Sequence, residues 1–134
     1  MSDPVFEFLN NKGCGDHIIK GGLAGLVETW EGVVEAVADE YQLGMDDYLN
    51  DLDSRQLLED ALAVAPKPEQ AKYDLRVSEA DEQMKSLTTK IEECLWSDEV
   101  AEEEGWNAKA NWWYYRIPKS AGEDLMDELN IEID

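Results

Sequence analysis

Basic residues are scarce in this chain: 11 Lys and Arg stand against 32 Asp and Glu over 134 residues, a formal charge of −21 with a pI of about 4.1. An excess of this size repels phosphate backbones and anionic lipid, so neither direct nucleic-acid binding nor binding to a membrane surface is expected. A basic protein surface, a cation, or a salt-rich solvent that screens the charge suits it better. Histidine is nearly absent as well. His17 is the only one, so a histidine-dependent acid–base step would have to run through it.

The two cysteines, Cys14 and Cys94, lie far apart and could form only one long-loop disulfide. Met1-Ser2-Asp3-Pro4 carries neither a basic region nor an apolar one of the kind that directs secretion, so two thiols and a cytoplasmic location are expected. No run approaches the roughly 18 apolar residues that suggest a membrane span.

What is present argues for a folded chain. The 43% hydrophobic fraction, with five Trp and five Tyr, supplies the aromatic area that disordered acidic chains lack. The length suits a single domain over residues 1–134. Neither an internal repeat nor a low-complexity block divides it.

Apolar spacing predicts mostly helix. Asp3 and Pro4 start a short helix carrying Val5, Phe6 and Leu9 that Gly13 closes, and Asp16 caps a further turn before Gly21-Gly22 interrupts. Leu23, Leu26, Val27, Trp30, Val33, Val34, Val37 and Tyr41 then recur at helical spacing, predicting a helix to about Leu43 with Gly44 as its stop. Asp46 caps a next helix whose pattern loses phase at Asp53-Ser54, predicting a break. Asp53 and Gln56, spaced as a capping box, restart a helix that ends before Pro66. From Pro68 to about Glu93 the residues Tyr73, Val77, Ala80, Met84, Leu87, Ile91 and Cys94 step by four and three, a stripe that can line a bundle core or seat a homodimer through residues 73–94. Ser97 caps a short acidic helix that Gly105 ends.

The run Trp112-Trp113-Tyr114-Tyr115-Arg116-Ile117 favours an extended segment, with residues 94–96 as the nearest candidate to pair with it. A last helix is expected through Leu125, Met126 and Leu129. The expected fold is therefore mainly α, an irregular bundle of five to seven helices with a small two-stranded β element near the C-terminus.

Chemistry-bearing constellations are weak. Cys14 and His17, spaced Cys-x-x-His, could share a metal ion, but a structural zinc needs four ligands, so Cys94 and a carboxylate would have to join them. No metal or other cofactor is expected. Asp46, Asp47, Asn50, Asp51 and Asp53 crowd oxygen ligands together without the alternation, central Gly or distal Glu of a calcium loop. Gly13, Gly15, Gly21, Gly22 and Gly25 match no phosphate-binding fingerprint and read as tight turns and close helix approach.

Two surfaces remain as candidate partner-binding sites. Glu28, Glu31, Glu35 and Asp39 follow one another on one helix side, and residues 98–104 hold five acids; each group reads either as a solvated face or as a complement to a basic protein. Trp112, Trp113, Tyr115 and Arg116 could stack a planar ligand, anchor a partner, or close the core. The functional expectation is a non-enzymatic interaction module of inhibitor, immunity or adaptor type. The alternatives are a metal- or carboxylate-dependent hydrolase using Cys14, His17 and the aspartates around Asp51, and a small-ligand domain built on Trp112, Trp113 and Tyr115.

Overall fold

A computed structural model describes residues 4–119, 121 and 125, residue 17 through its backbone alone. Among these residues five α-helices carry a two-stranded antiparallel sheet. They are α1 (Pro4–Asn11), α2 (Asp16–Ala38), α3 (Met45–Val64), α4 (Lys67–Leu87), β1 (Thr88–Lys90), α5 (Asp98–Glu104), a 3-10 helix (Trp112–Tyr115) and β2 (Arg116–Pro118). The mainly α fold expected from periodicity is the one observed. None of the described helices is long and apolar enough to cross a membrane.

The centre of the molecule is α2. Leu23, Leu26, Val27, Trp30, Val33, Val34 and Val37 are all buried, and α1, α3 and α4 pack around them. Gly22 bends the helix, with φ 58° and ψ −151°. That conformation is open to glycine at little steric cost. The expected interruption at Gly21-Gly22 is therefore present: Gly22 leaves helical geometry and divides α2 into a first short stretch from Asp16 and the long helix that follows.

Asp16 is the first residue of α2 and Gly15 its N-cap, so the cap expected of Asp16 does not form. The helix also ends at Ala38, five residues before the expected Leu43. Glu40 takes a positive φ of 61° and turns the chain. Tyr41 is then drawn inward, where its hydroxyl donates to Asp51 and its ring meets Tyr48 edge-on at 5.3 Å. Gly44, expected as the stop of that helix, is the N-cap of α3.

The break expected at Asp53-Ser54 does not occur, and α3 runs unbroken from Met45 to Val64. Its buried side is Met45, Tyr48, Leu49, Leu52, Arg55, Leu58 and Ala61. The spacing stays helical once Arg55 is counted as a core residue. Asp53 and Gln56 form no capping box; their side chains reach other elements.

The helix expected from Pro68 begins one residue earlier: α4 starts at Lys67, with Pro66 as its N-cap. Gln70 Nε2 donates back to the carbonyls of Leu62 and Ala65 at 2.7 and 3.0 Å, satisfying acceptors left over at the end of α3. Tyr73, Val77, Ala80 and Met84 are buried within the chain. The helix stops at Leu87 rather than Glu93, because residues 88–90 leave it to form β1. Thr88 pairs with Pro118, Thr89 with Ile117 and Lys90 with Arg116. The small sheet is thus made from β1 and β2, not from residues 94–96 and the aromatic run.

Ser97 and Gly105 bound α5 as expected, the Ser97 Oγ accepting from Val100 N–H at 3.2 Å and Gly105 adopting φ 77°. The aromatic run itself is a 3-10 helix rather than a strand. Three residues per turn let successive rings point to different sides, and Trp113, Tyr114 and Tyr115 all become buried. Of the expected last helix, Leu125 is helical and fully buried; Met126 and Leu129 lie outside the described residues, as does Asp3, the expected first cap.

Candidate functional site

The outer side of α2 carries three of the four acids singled out by their spacing. Glu28, Glu35 and Asp39 are exposed; Glu31 is half-buried and bridged to Arg76 of α4 at 2.5 Å. The hydrogen bond from the Arg76 guanidinium holds the Glu31 carboxyl below its ordinary range. Asp39 is also the C-cap of α2, and no basic residue lies in the last turn. The negative end of the helix dipole is therefore compounded by Asp39 and Glu40 rather than offset.

Beside this acidic ridge runs an apolar groove. Ile18, Gly21, Gly25, Leu26, Glu28 and Thr29 line a depression of about 480 Å³ on the surface of α2. A side-chain carbon added at Gly21, Gly25 or Gly32 would meet no atom within 4 Å.

The second candidate group lies on the other side of α2. Trp112 is half-buried, edge-on to Trp30 at 6.5 Å, with the Lys85 ammonium 4.9 Å from its ring centre. Trp113 is 1% exposed and Tyr115 8%. The Trp113 ring lies under the Arg55 guanidinium at 4.4 Å, while its indole N–H has no hydrogen-bond partner among the described residues. Arg116 donates to Thr88 Oγ1 at 2.8 Å and to the carbonyls of Lys85 and Thr88 at 3.0 and 2.9 Å, tying α4 to the small sheet. The acids and the aromatics are thus separated by the body of α2.

Beneath the aromatic layer lies a polar network that apolar periodicity does not reveal. Arg55 Nε and Nη2 donate to the two oxygens of Asp81 at 3.0 and 2.8 Å, Nη1 reaches Glu59 at 3.0 Å, and the Trp30 indole adds a third bond to Asp81. Burial works against the charge of Arg55, but the Asp81 and Glu59 carboxylates more than compensate, so its pKa is raised. Asp53 accepts from the Trp96 indole at 3.1 Å and from the Tyr114 hydroxyl at 2.6 Å. Gln56 accepts from Asn111 at 2.7 Å. A charged residue standing where the α3 stripe requires an apolar one was the only sequence signal for this network.

Of the residues with metal-binding spacing, Cys14 is half-buried, Cys94 is buried with burial pushing its thiol pKa up, and the His17 side chain lies outside the described residues. No three of His, Cys, Asp and Glu converge among the described residues to hold a metal ion. In the aspartate-rich segment, Asp46, expected as a cap, lies with Asp47 inside the first turn of α3, whose N-cap is Gly44. Asp51 is engaged by Tyr41 and Asp53 by Trp96 and Tyr114.

All three arginines of the chain are therefore engaged internally, Arg55 and Arg76 with carboxylates and Arg116 with Thr88 and backbone carbonyls. The acids of α5, by contrast, all face solvent: Asp98, Glu99, Glu102, Glu103 and Glu104 are exposed. No family model, curated protein or solved structure matches this chain.

Proposed function

We propose that the protein is a non-enzymatic interaction module, of inhibitor, immunity or adaptor type, that binds a basic surface of another protein. The observation carrying this reading is the excess of acid on the exposed surface. Glu28, Glu35, Asp39 and the five acids of α5 stand in solvent, Arg55 and Arg116 are bound within the fold and Arg76 is bridged to Glu31, and the lysines, most of them exposed, are far too few to balance 32 acids. A surface so arranged accelerates encounter with a cationic partner and discourages anionic ones.

Two of the side chains that sequence alone offered for catalysis have structural partners that support the same reading. Asp51 and Asp53 hold tyrosine and tryptophan donors. The aromatic segment packs against Trp30 and Arg55.

Affinity capture from the native host, followed by mass spectrometry, tests the proposal. A basic protein recovered at low salt and released as salt screens the charges is the expected result. Catalytic turnover of a small substrate by the purified chain, with no such protein recovered, would overturn it.

A further inference from the structure

Glycine weakens a helix interior, because it gains no side-chain contact and surrenders the most backbone freedom on folding. A helix retains it cheaply only where a positive φ or a close neighbour demands it. Gly22 meets the first condition. Gly21, Gly25 and Gly32 show no positive φ, and an added side-chain carbon would touch nothing within 4 Å. Nothing described inside the chain requires them.

Their positions share one side of α2. Gly25, Thr29 and Gly32 follow at three- and four-residue steps; Gly21, Gly25 and Thr29 line the apolar groove with Ile18, Leu26 and Glu28, and Gly32 lies beyond it on the same side. Glu28, Glu35 and Asp39 run along the same side. The last of these, with Glu40, stands at the C-terminal end of α2, where the helix dipole already concentrates negative potential. Within the isolated chain this arrangement is electrostatically unfavourable. A cation brought to that end would relieve it.

The geometry points to the outer side of α2 as the docking groove for a basic amphipathic helix of a partner protein. The helix would seat small or apolar residues in the groove lined by Gly21, Gly25 and Thr29 and turn lysines or arginines toward Glu28, Glu35 and Asp39. Small residues let two helix backbones approach closely, and an amphipathic helix lying in a groove presents residues at three- and four-residue steps that match the spacing here. The charge complement selects a basic helix over a second copy of this chain, whose own α2 would bring acid against acid. This inference rests on the interaction-module reading and specifies its surface.

The test uses the full chain and a synthetic helix-forming peptide with lysine and arginine on one side and alanine and leucine on the other, followed by backbone amide shifts and calorimetry. Shifts confined to residues 18–39 are expected. Gly21→Leu with Gly25→Leu fills the groove from two of its lining positions, and should leave the helical spectrum and the unfolding midpoint intact or raised while weakening peptide binding by about tenfold or more.

The charge arm keeps the test independent of how leucine is accommodated. Neutralising Glu28→Gln, Glu35→Gln and Asp39→Asn should weaken binding. The α5 set Glu99→Gln, Glu102→Gln and Glu103→Gln removes as many charges and should change it by less than about twofold. A peptide that binds the folded groove-filled variant as well as the parent, or that depends equally on the α5 acids, overturns the groove and leaves the interaction-module reading standing. No binding at low salt to any of these proteins overturns the groove and removes the electrostatic basis of that reading as well.

Discussion

Arg55 and Asp81, 26 residues apart in sequence, meet in a two-point bridge between α3 and α4, with Arg55 almost wholly buried and its guanidinium laid over the Trp113 ring. A buried pair of this kind adds little over an apolar pair of similar shape, but removing one partner strands the other charge.

Asp81→Ala is therefore expected to cost about 3 to 5 kcal/mol in denaturant unfolding, since it abandons both Arg55 and the Trp30 indole. The double variant Arg55→Met with Asp81→Leu should recover much of that loss. A double variant no more stable than Asp81→Ala would show that the bridge itself, and not the stranded charge, dominates.

Tyr41, Tyr48 and Tyr114 all have hydroxyl pKa values pushed up, in each case first by burial. For Tyr41 and Tyr114 a carboxylate partner, Asp51 or Asp53, adds to the shift. In the unfolded chain each ionises near its ordinary value of about 10, so above that pH the native state binds more protons than the unfolded one and stability falls as pH rises. The contribution is complete below about pH 10 and lost above it. Ultraviolet titration should show these phenols ionising only as the helical signal collapses; ionisation at the ordinary value with the fold intact would mean they are exposed.

Asp51 gives the acid-side counterpart. Burial raises its carboxyl pKa, Asp47 adds to the rise, and the Tyr41 bond only partly opposes it. A carboxyl raised in the native state stabilises the fold most below its unfolded pKa, and that contribution is lost as pH rises through the folded value. Asp51→Asn should flatten this part of the stability profile above about pH 4, where an unfolded aspartate has ionised. An unchanged profile would place Asp51 in solvent.

Gly32→Ala tests whether the outer side of α2 is free of internal demands. With no atom within reach of the new carbon, the exchange should stabilise the isolated protein by up to about 1 kcal/mol in thermal unfolding. A loss of similar size would reveal an intramolecular requirement for glycine there.

The elements legible from sequence were those decided locally. Ser97 and Gly105 bound α5 through their own cap chemistry, and the apolar stripes of α2 and α4 appear at helical spacing. The misread positions depend on distant partners. Arg55 hides in the α3 stripe because its carboxylate lies on another helix. Asp53 resembles a cap because its donors, Trp96 and Tyr114, stand 43 and 61 residues away. The end of α2 is set by where Tyr41 finds Asp51, not by Gly44. For the candidate site, the acids of α2 were visible as a repeat, whereas the groove beside them required the helix phase and the bend at Gly22.

If the exposed acids bring the molecule to a basic partner, as proposed, the association rate with the captured partner must depend on salt. Stopped-flow mixing should give a rate constant that falls by about tenfold or more as ionic strength rises from about 0.01 M to 1 M, over which the screening length shrinks from about 30 to 3 Å. A rate constant that does not change over that range would contradict the claim and leave the charge of −21 as a property of solubility alone.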